Sequence, residues 1–145
     1  MIGKRKSRAF VILVALSIGG LLGVNNSYAT SATTISESNA NQTITVKSGS
    51  TVSLSLHSMY WNLGTVKSTA SLKEKGDVVQ KPIMPGAGAP AGCGVPGSGC
   101  GVQTWKFSAV KIGITHLVAS RTSCGEAMRC TGTNGSFKVT VKVVK

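Results

Sequence analysis

The sequence predicts an all-β fold, an antiparallel β-sandwich of about seven short strands preceded by a signal peptide. Three observations predict it. Beyond residue 42, apolar and polar residues alternate in several short runs, the period of a half-buried strand. Turn residues separate these runs at short intervals. No segment after the N-terminal stretch repeats its apolar residues with helical spacing.

The N-terminus reads as an export signal over residues 1–29. Lys4, Arg5, Lys6 and Arg8 form a basic start, residues 9–24 are almost wholly apolar, and Ser27 and Ala29 place small residues where a signal peptidase reads. The apolar run is 16 residues long, whereas a helix that spans a bilayer needs about 20. Cleavage is therefore expected rather than a retained anchor, and the mature chain is expected to be secreted or held at the cell surface. No cysteine lies near the cleavage site to carry a lipid. The remaining 116 residues suffice for one domain with its own core.

Residues 30–42 are rich in Ser, Thr and Asn and are expected to form a flexible leader. The domain is expected over residues 43–145. Ile44 and Val46 alternate with polar residues, Ser48-Gly49-Ser50 turns the chain, and Val52, Leu54 and Leu56 alternate again; the pair reads as a hairpin with one apolar face. A loop around Met59 leads into a strand near Leu63 and Val66. A weaker strand region covers residues 72–84. Trp105, Phe107 and Ala109 alternate with Thr104, Lys106 and Ser108 and are expected to point inward, where the two rings would seed the core. Lys111-Ile112-Gly113 turns the chain into a strand with Leu117 and Ala119 inward and His116 outward. Asn134-Gly135 marks a tight turn. The last strand is the cleanest, with Phe137, Val139, Val141 and Val143 on one side and Lys138, Thr140 and Lys142 on the other. Packing two such sheets face to face gives an immunoglobulin-like sandwich.

Two loops hold all four cysteines. In residues 85–101, ten of the 17 positions are Gly or Pro, so regular structure cannot persist, and Cys93 and Cys100 bracket part of it. Cys124 and Cys130 bracket the other. An even cysteine count in an exported chain reads as disulfides. Local pairs Cys93–Cys100 and Cys124–Cys130 are favoured because each closes a short loop containing glycine; the rival pairing joins the loops, for example Cys100–Cys124. Each local ring is worth roughly 2–3 kcal/mol, less any strain. The spacings C-x6-C and C-x5-C do not match the usual zinc spacing, and no metal or other cofactor is expected.

The chain of 145 residues carries 16 Lys and Arg against four acids, a formal charge of +12. Four of the basic residues and none of the acids lie in the signal, which takes the mature charge to +8. Such a balance suits an acidic partner or plain solubility. The lysines are scattered through strands without interleaved aromatics, so nucleic acid is not expected as a partner. Catalysis is not expected either. After the signal there are only His57, His116, Glu37, Glu74, Asp77 and Glu126 to act as acid or base. Gly97-Ser98-Gly99 lacks the G-x-S-x-G spelling and the strand-to-helix setting of a nucleophile elbow.

These residues resemble a family. The glycine-rich loop Gly97-Ser98-Gly99-Cys100-Gly101, the strand with Trp105 and Phe107, the turn at Gly113, the strand His116-Leu117-Val118-Ala119 and the ending Ser136-Phe137-Lys138-Val139-Thr140-Val141 are similar to the chagasin-like inhibitors of papain-type cysteine proteases. Val46-Lys47-Ser48-Gly49-Ser50-Thr51-Val52 fits the first hairpin of that family. The resemblance covers most of residues 43–145, as a pattern of strands more than of identities. It implies an immunoglobulin-like sandwich whose three loops at one end enter the cleft of a papain-type protease. The family motifs of those loops are N-P-T-T-G, G-x-G-G and R-P-W/F. Here the first loop reads Ser58-Met59-Tyr60-Trp61-Asn62-Leu63-Gly64, the second contains Cys100 within its glycines, and the third reads Arg121-Thr122-Ser123-Cys124-Gly125-Glu126.

The binding residues implied are Met59, Tyr60, Trp61 and Asn62, then Gly97, Ser98, Gly99, Cys100 and Gly101, then Arg121, Cys124, Gly125 and Glu126. Tyr60 and Trp61 would be aromatic anchors; Trp61 is equally readable as a core tryptophan. The expected function is a secreted inhibitor, acting as a monomer and without a membrane partner once the signal is cleaved. The alternative is a non-inhibitory extracellular module of the same fold that binds cell-wall polymer or another protein.

Overall fold

The computed structural model describes residues 31–67, 70–84, 93, 97–125 and 128–145. The signal expected at 1–29 lies outside the described residues. Among the described residues the strands are β1 (Ala32–Ile35), β2 (Thr43–Lys47), β3 (Thr51–His57), β4 (Asn62–Leu63), β5 (Leu72–Glu74), β6 (Val79–Pro82), β7 (Gly101–Ala109), β8 (Gly113–Ser120), β9 (Ser123–Gly125), β10 (Met128–Arg129) and β11 (Ser136–Val144). One sheet runs β1-β3-β7-β5, with β6 also on β7; a second runs β2-β11-β8-β4; β9 and β10 form a small ribbon. The fold is nearly all β and matches the sandwich the alternation predicts.

The core lies between the two larger sheets. Val52, Leu54, Leu56 and Phe107 from the first meet Leu117, Ala119, Phe137, Val139, Val141 and Val143 from the second, all buried. Phe107 is fully buried, and burial of a side chain of that size stabilises the fold by about 1.5–3 kcal/mol. Away from the loop end described below, Thr115 of β8 fastens the sheets: its hydroxyl accepts from the Ser71 N–H at 3.0 Å and lies 2.8 Å from the Ser71 hydroxyl.

The structure corrects four expectations. Residues 31–42 are not a loose leader. Ala32–Ile35 pairs with β3 from Thr51 to Leu54, and Ile35 is fully buried in the core. One buried side chain in a strand of four residues leaves no periodic signature in the sequence, which is why composition pointed elsewhere. Second, β2 and β3 do not form a hairpin. Their apolar faces meet across the sandwich, because β2 pairs with β11 and β3 with β7. The link bends from one sheet to the other at Gly49, whose φ of +85° suits glycine. Its N–H bonds Ala109 at 2.8 Å while the Ser48 N–H bonds Val144 at 2.8 Å, one partner in each sheet.

Third, the sheets are not wholly antiparallel, since β1–β3 and β2–β11 are parallel pairs. Parallel neighbours cannot be joined by a tight hairpin, and in both pairs intervening chain separates the two strands. Fourth, Trp105 is on the inward face of β7, as expected, but it is only partly buried. The facing edge strand β4 is two residues long, too short to cover it.

Candidate functional site

Strands β3 and β8 end, and β7 and β11 begin, at the same end of the sandwich. The loops there are residues 58–61, the described part of the loop before β7 (Cys93 and 97–100), and residues 121–135. These are the loops that carry the residues read from the sequence as a binding surface. Glu126 lies outside the described residues.

The first two loops are joined by their backbones. The Ser58 N–H donates to the Gly101 carbonyl at 2.8 Å and the Met59 N–H to the Gly99 carbonyl at 2.7 Å. The Tyr60 hydroxyl donates to the Gly97 carbonyl, and the Tyr60 ring lies against Gly99. A Cβ on Gly99 would sit 2.0 Å from the Tyr60 Cε2, and the Gly99 φ of +64° is left-handed. Only glycine allows this approach. Gly101 is equally enclosed, with a Cβ position 2.6 Å from the Met59 Sδ and 2.7 Å from the Lys81 carbonyl oxygen. Gly99 and Gly101, named above among the implied binding residues, are thus first used within the chain, to seat Tyr60 and Met59.

The disulfides are Cys93–Cys100 and Cys124–Cys130, with Cα separations of 5.5 and 4.9 Å. The second disulfide closes the β9–β10 ribbon, and its base is held by the Arg121 N–H on the Gly135 carbonyl at 2.9 Å and the Cys130 N–H on the Thr122 carbonyl at 3.0 Å. Cysteines from both disulfides line one hollow of about 350 Å³, together with His57, Ser58, Gly99 and Arg121.

Arg121 binds the third loop to the first. Its guanidinium lies 4.6 Å over the Trp61 ring, its Nε donates to the Asn134 carbonyl at 2.9 Å, and its Nη1 reaches the His57 carbonyl at 3.4 Å. The same His57 carbonyl accepts from the Trp61 indole N–H at 2.9 Å. Cation–π contact of this kind contributes about 1 kcal/mol. Burial lowers the Arg121 guanidinium from its ordinary value, partly offset by the negative Glu37 nearby. Trp61 is only 5% exposed and belongs to the core. Of its two readings, the buried one describes where the ring sits.

Glu37 is a site residue that no motif along the chain marks. It follows β1 in a short 3-10 turn and accepts the His57 N–H and, through Oε2, the His57 Nδ1 at 3.1 Å. Burial opposes its ionisation, but the His57 N–H, its own N–H and the His57 ring together hold its carboxyl below the ordinary value. The signal that could have found it is Ile35 two residues earlier, the one large apolar side chain in an otherwise polar stretch. His116 faces outward and is 3.0 Å from the Thr140 hydroxyl. Among the described residues no three His, Cys, Asp or Glu side chains come together in a way that could hold a metal ion.

The chemistry on offer is that of a stiff surface. Gly97 and Met128 stand exposed at the tips, and Tyr60, Ser98, Gly99 and Gly125 are half-buried behind them. Disulfides and cross-loop hydrogen bonds fix that surface before any partner arrives, which lowers the ordering entropy lost on binding.

This fold of two facing sheets is shared with two solved structures. The crystal structure of the cysteine protease inhibitor EhICP2 from Entamoeba histolytica superposes with a TM-score of 0.51 at 11% identity, over 78% of this chain and 95% of that one. The solution structure of Amebosin gives a TM-score of 0.50 at 18% identity, over 79% of this chain and 99% of that one. At these identities the likeness is one of fold. By sequence, the chain matches no family model and no curated protein significantly.

Proposed function

We propose that this chain is a secreted inhibitor of papain-type cysteine proteases, which fills the protease cleft with the three-loop end of its sandwich. The observation that carries this reading is the bracing of those loops: two closed by disulfides, two joined backbone to backbone, and the third held to the first by Arg121 on Trp61. Such an inhibitor does no chemistry. It occupies the cleft with backbone that is not presented as a cleavable bond, and its rigidity slows escape. In this reading Met59, Tyr60, Gly97, Ser98, Gly99 and Gly125 face the enzyme and Trp61 supports them from beneath. The shared fold with a cysteine protease inhibitor supports the reading, and two disulfides suit an oxidising compartment.

The direct test mixes the purified protein with papain and several cathepsin-type enzymes and follows substrate hydrolysis. The expected result is reversible inhibition at micromolar concentration or below with the inhibitor left intact, and an inhibition constant raised about tenfold in Tyr60→Ala, the loss expected for an interface aromatic. No inhibition of any of these enzymes at micromolar concentration would remove the reading.

A further inference from the structure

A second recognition surface lies on the flank of the sandwich, beside the foot of the first loop. The first sheet extends beyond the short edge strand β4 of the second, and the uncovered strip forms a groove of about 410 Å³. Trp105, Gln103, Gln80 and Glu74 line it from the first sheet, and Trp61 and Asn62 from the other side. A further hollow of about 210 Å³ shares Trp105 and Glu74 and adds Asp77 and Lys106, so the surface continues past Trp105 on the side of Asp77.

Gln103 is the unusual member. It is 4% exposed, it sits opposite Leu56 in the register with β3, and its Oε1 has no hydrogen-bond partner among the described residues. A buried carbonyl left without a donor is unfavourable and calls for an explanation. The terminal torsion of a glutamine is soft, so a small rotation turns Oε1 towards a donor placed in the groove. Beside it, Trp105 offers the aromatic surface that its inward position and poor cover leave half-exposed. The polar groups around these rings are chiefly amides and carboxylates, with the Lys106 ammonium at the far hollow.

We infer that this groove binds a neutral pyranose oligosaccharide. A pyranose ring has an apolar C–H face that lies flat on an aromatic ring and a rim of hydroxyls that donate to carboxylate and amide oxygens. Trp105 takes the face, and Glu74, Asp77 and the Gln103 carbonyl take the donors. In the groove beside Gln103 the one charged lining group is Glu74, which disfavours an anionic ligand, and a purely apolar one would leave Gln103 unpaired. The continuation of the surface past Trp105 gives room for more than one ring. This inference stands apart from protease inhibition, since it uses the flank and not the loop tips, although Trp61 lies beneath both.

The test titrates the purified protein with cellotriose and with chitotriose at millimolar concentration. It is read by the Gln103 side-chain amide shift in NMR and by tryptophan emission. A saturable response to at least one of the two is expected, weakened about tenfold in Trp105→Ala and in Gln103→Leu, the size of losing one such contact. Gln103→Leu should also retain or gain folding stability, because it removes an unpaired buried carbonyl; a purely structural glutamine would lose it. Glu74→Gln, at an exposed position, supplies a variant that keeps the fold and should bind more weakly. No saturable response to either sugar, or a response unaltered in Trp105→Ala and Glu74→Gln, would overturn the inference.

Discussion

Replacing Gly99 by Ala tests the central feature of the loop end, the seating of Tyr60 on the second loop. The new Cβ would lie 2.0, 2.5 and 2.6 Å from the Tyr60 Cε2, Cδ2 and Cζ, where carbon atoms in contact rest at about 3.5–4.0 Å. A displacement of about 1.5 Å or more is therefore forced. The alternative, moving the glycine backbone, breaks the Met59 N–H bond to the Gly99 carbonyl at 2.7 Å. If the ring swings away, the hydroxyl bond to Gly97 is lost, which costs about 1 kcal/mol. The φ of +64° adds about 1–2 kcal/mol for a residue with a side chain. The sum is about 2–3 kcal/mol, taken from the contact between the first and second loops while the core is untouched. Urea denaturation should show a lower midpoint with an unchanged slope, since the surface exposed on unfolding is the same. The Tyr60 ring resonances should move, and the proposed protease inhibition should weaken with them. A variant within about 0.5 kcal/mol of the parent, the range of neutral surface changes, with unshifted Tyr60 resonances, would refute the packing argument.

Ile35→Ala should destabilise the protein by about 2–5 kcal/mol, as for other fully buried aliphatic side chains; a loss below about 0.5 kcal/mol by urea denaturation would mean that β1 does not complete the first sheet. Glu37 has its carboxyl held below the ordinary value, so the folded chain binds that proton less readily than the unfolded one. Its contribution is complete above the unfolded carboxyl value and is lost as pH falls through the folded one. Glu37→Gln should therefore flatten the acid side of the stability profile below about pH 5, and a midpoint that falls with pH as steeply in the variant as in the parent would count against the Glu37–His57 pairing.

The strands were legible wherever alternation ran long enough to repeat. Phe137, Val139, Val141 and Val143 point into the core as the sequence required. The short cysteine loops were equally legible, because closing a small ring is favoured by proximity along the chain. Alternation assigns a face to a residue without naming the strand beside it. That is why β2 and β3, adjacent in sequence and both greasy on one side, read as a hairpin yet lie in different sheets. Trp105 had the right phase and the wrong burial for a related reason: cover comes from the opposite sheet, whose edge strand stops short.

At the candidate site, the residue types that make tight turns and covalent loops stood out at once, and the contacts between loops did not. In one dimension Arg121 is only a member of the third loop; in three it lies on Trp61 and holds the Asn134 and His57 carbonyls. Glu37 sits in a stretch whose composition argues for disorder, and only its carboxylate on His57 places it at the base of the loops. The sequence by itself determined the strand character and the two cysteine rings, because period, turn chemistry and ring closure are local properties. Tertiary structure decided the strand partners, the burial of Trp61, the bracing role of Arg121 and the unpaired Gln103 in the flank groove. Those depend on which distant side chains share a volume or a hydrogen bond, and no spacing along the chain records that.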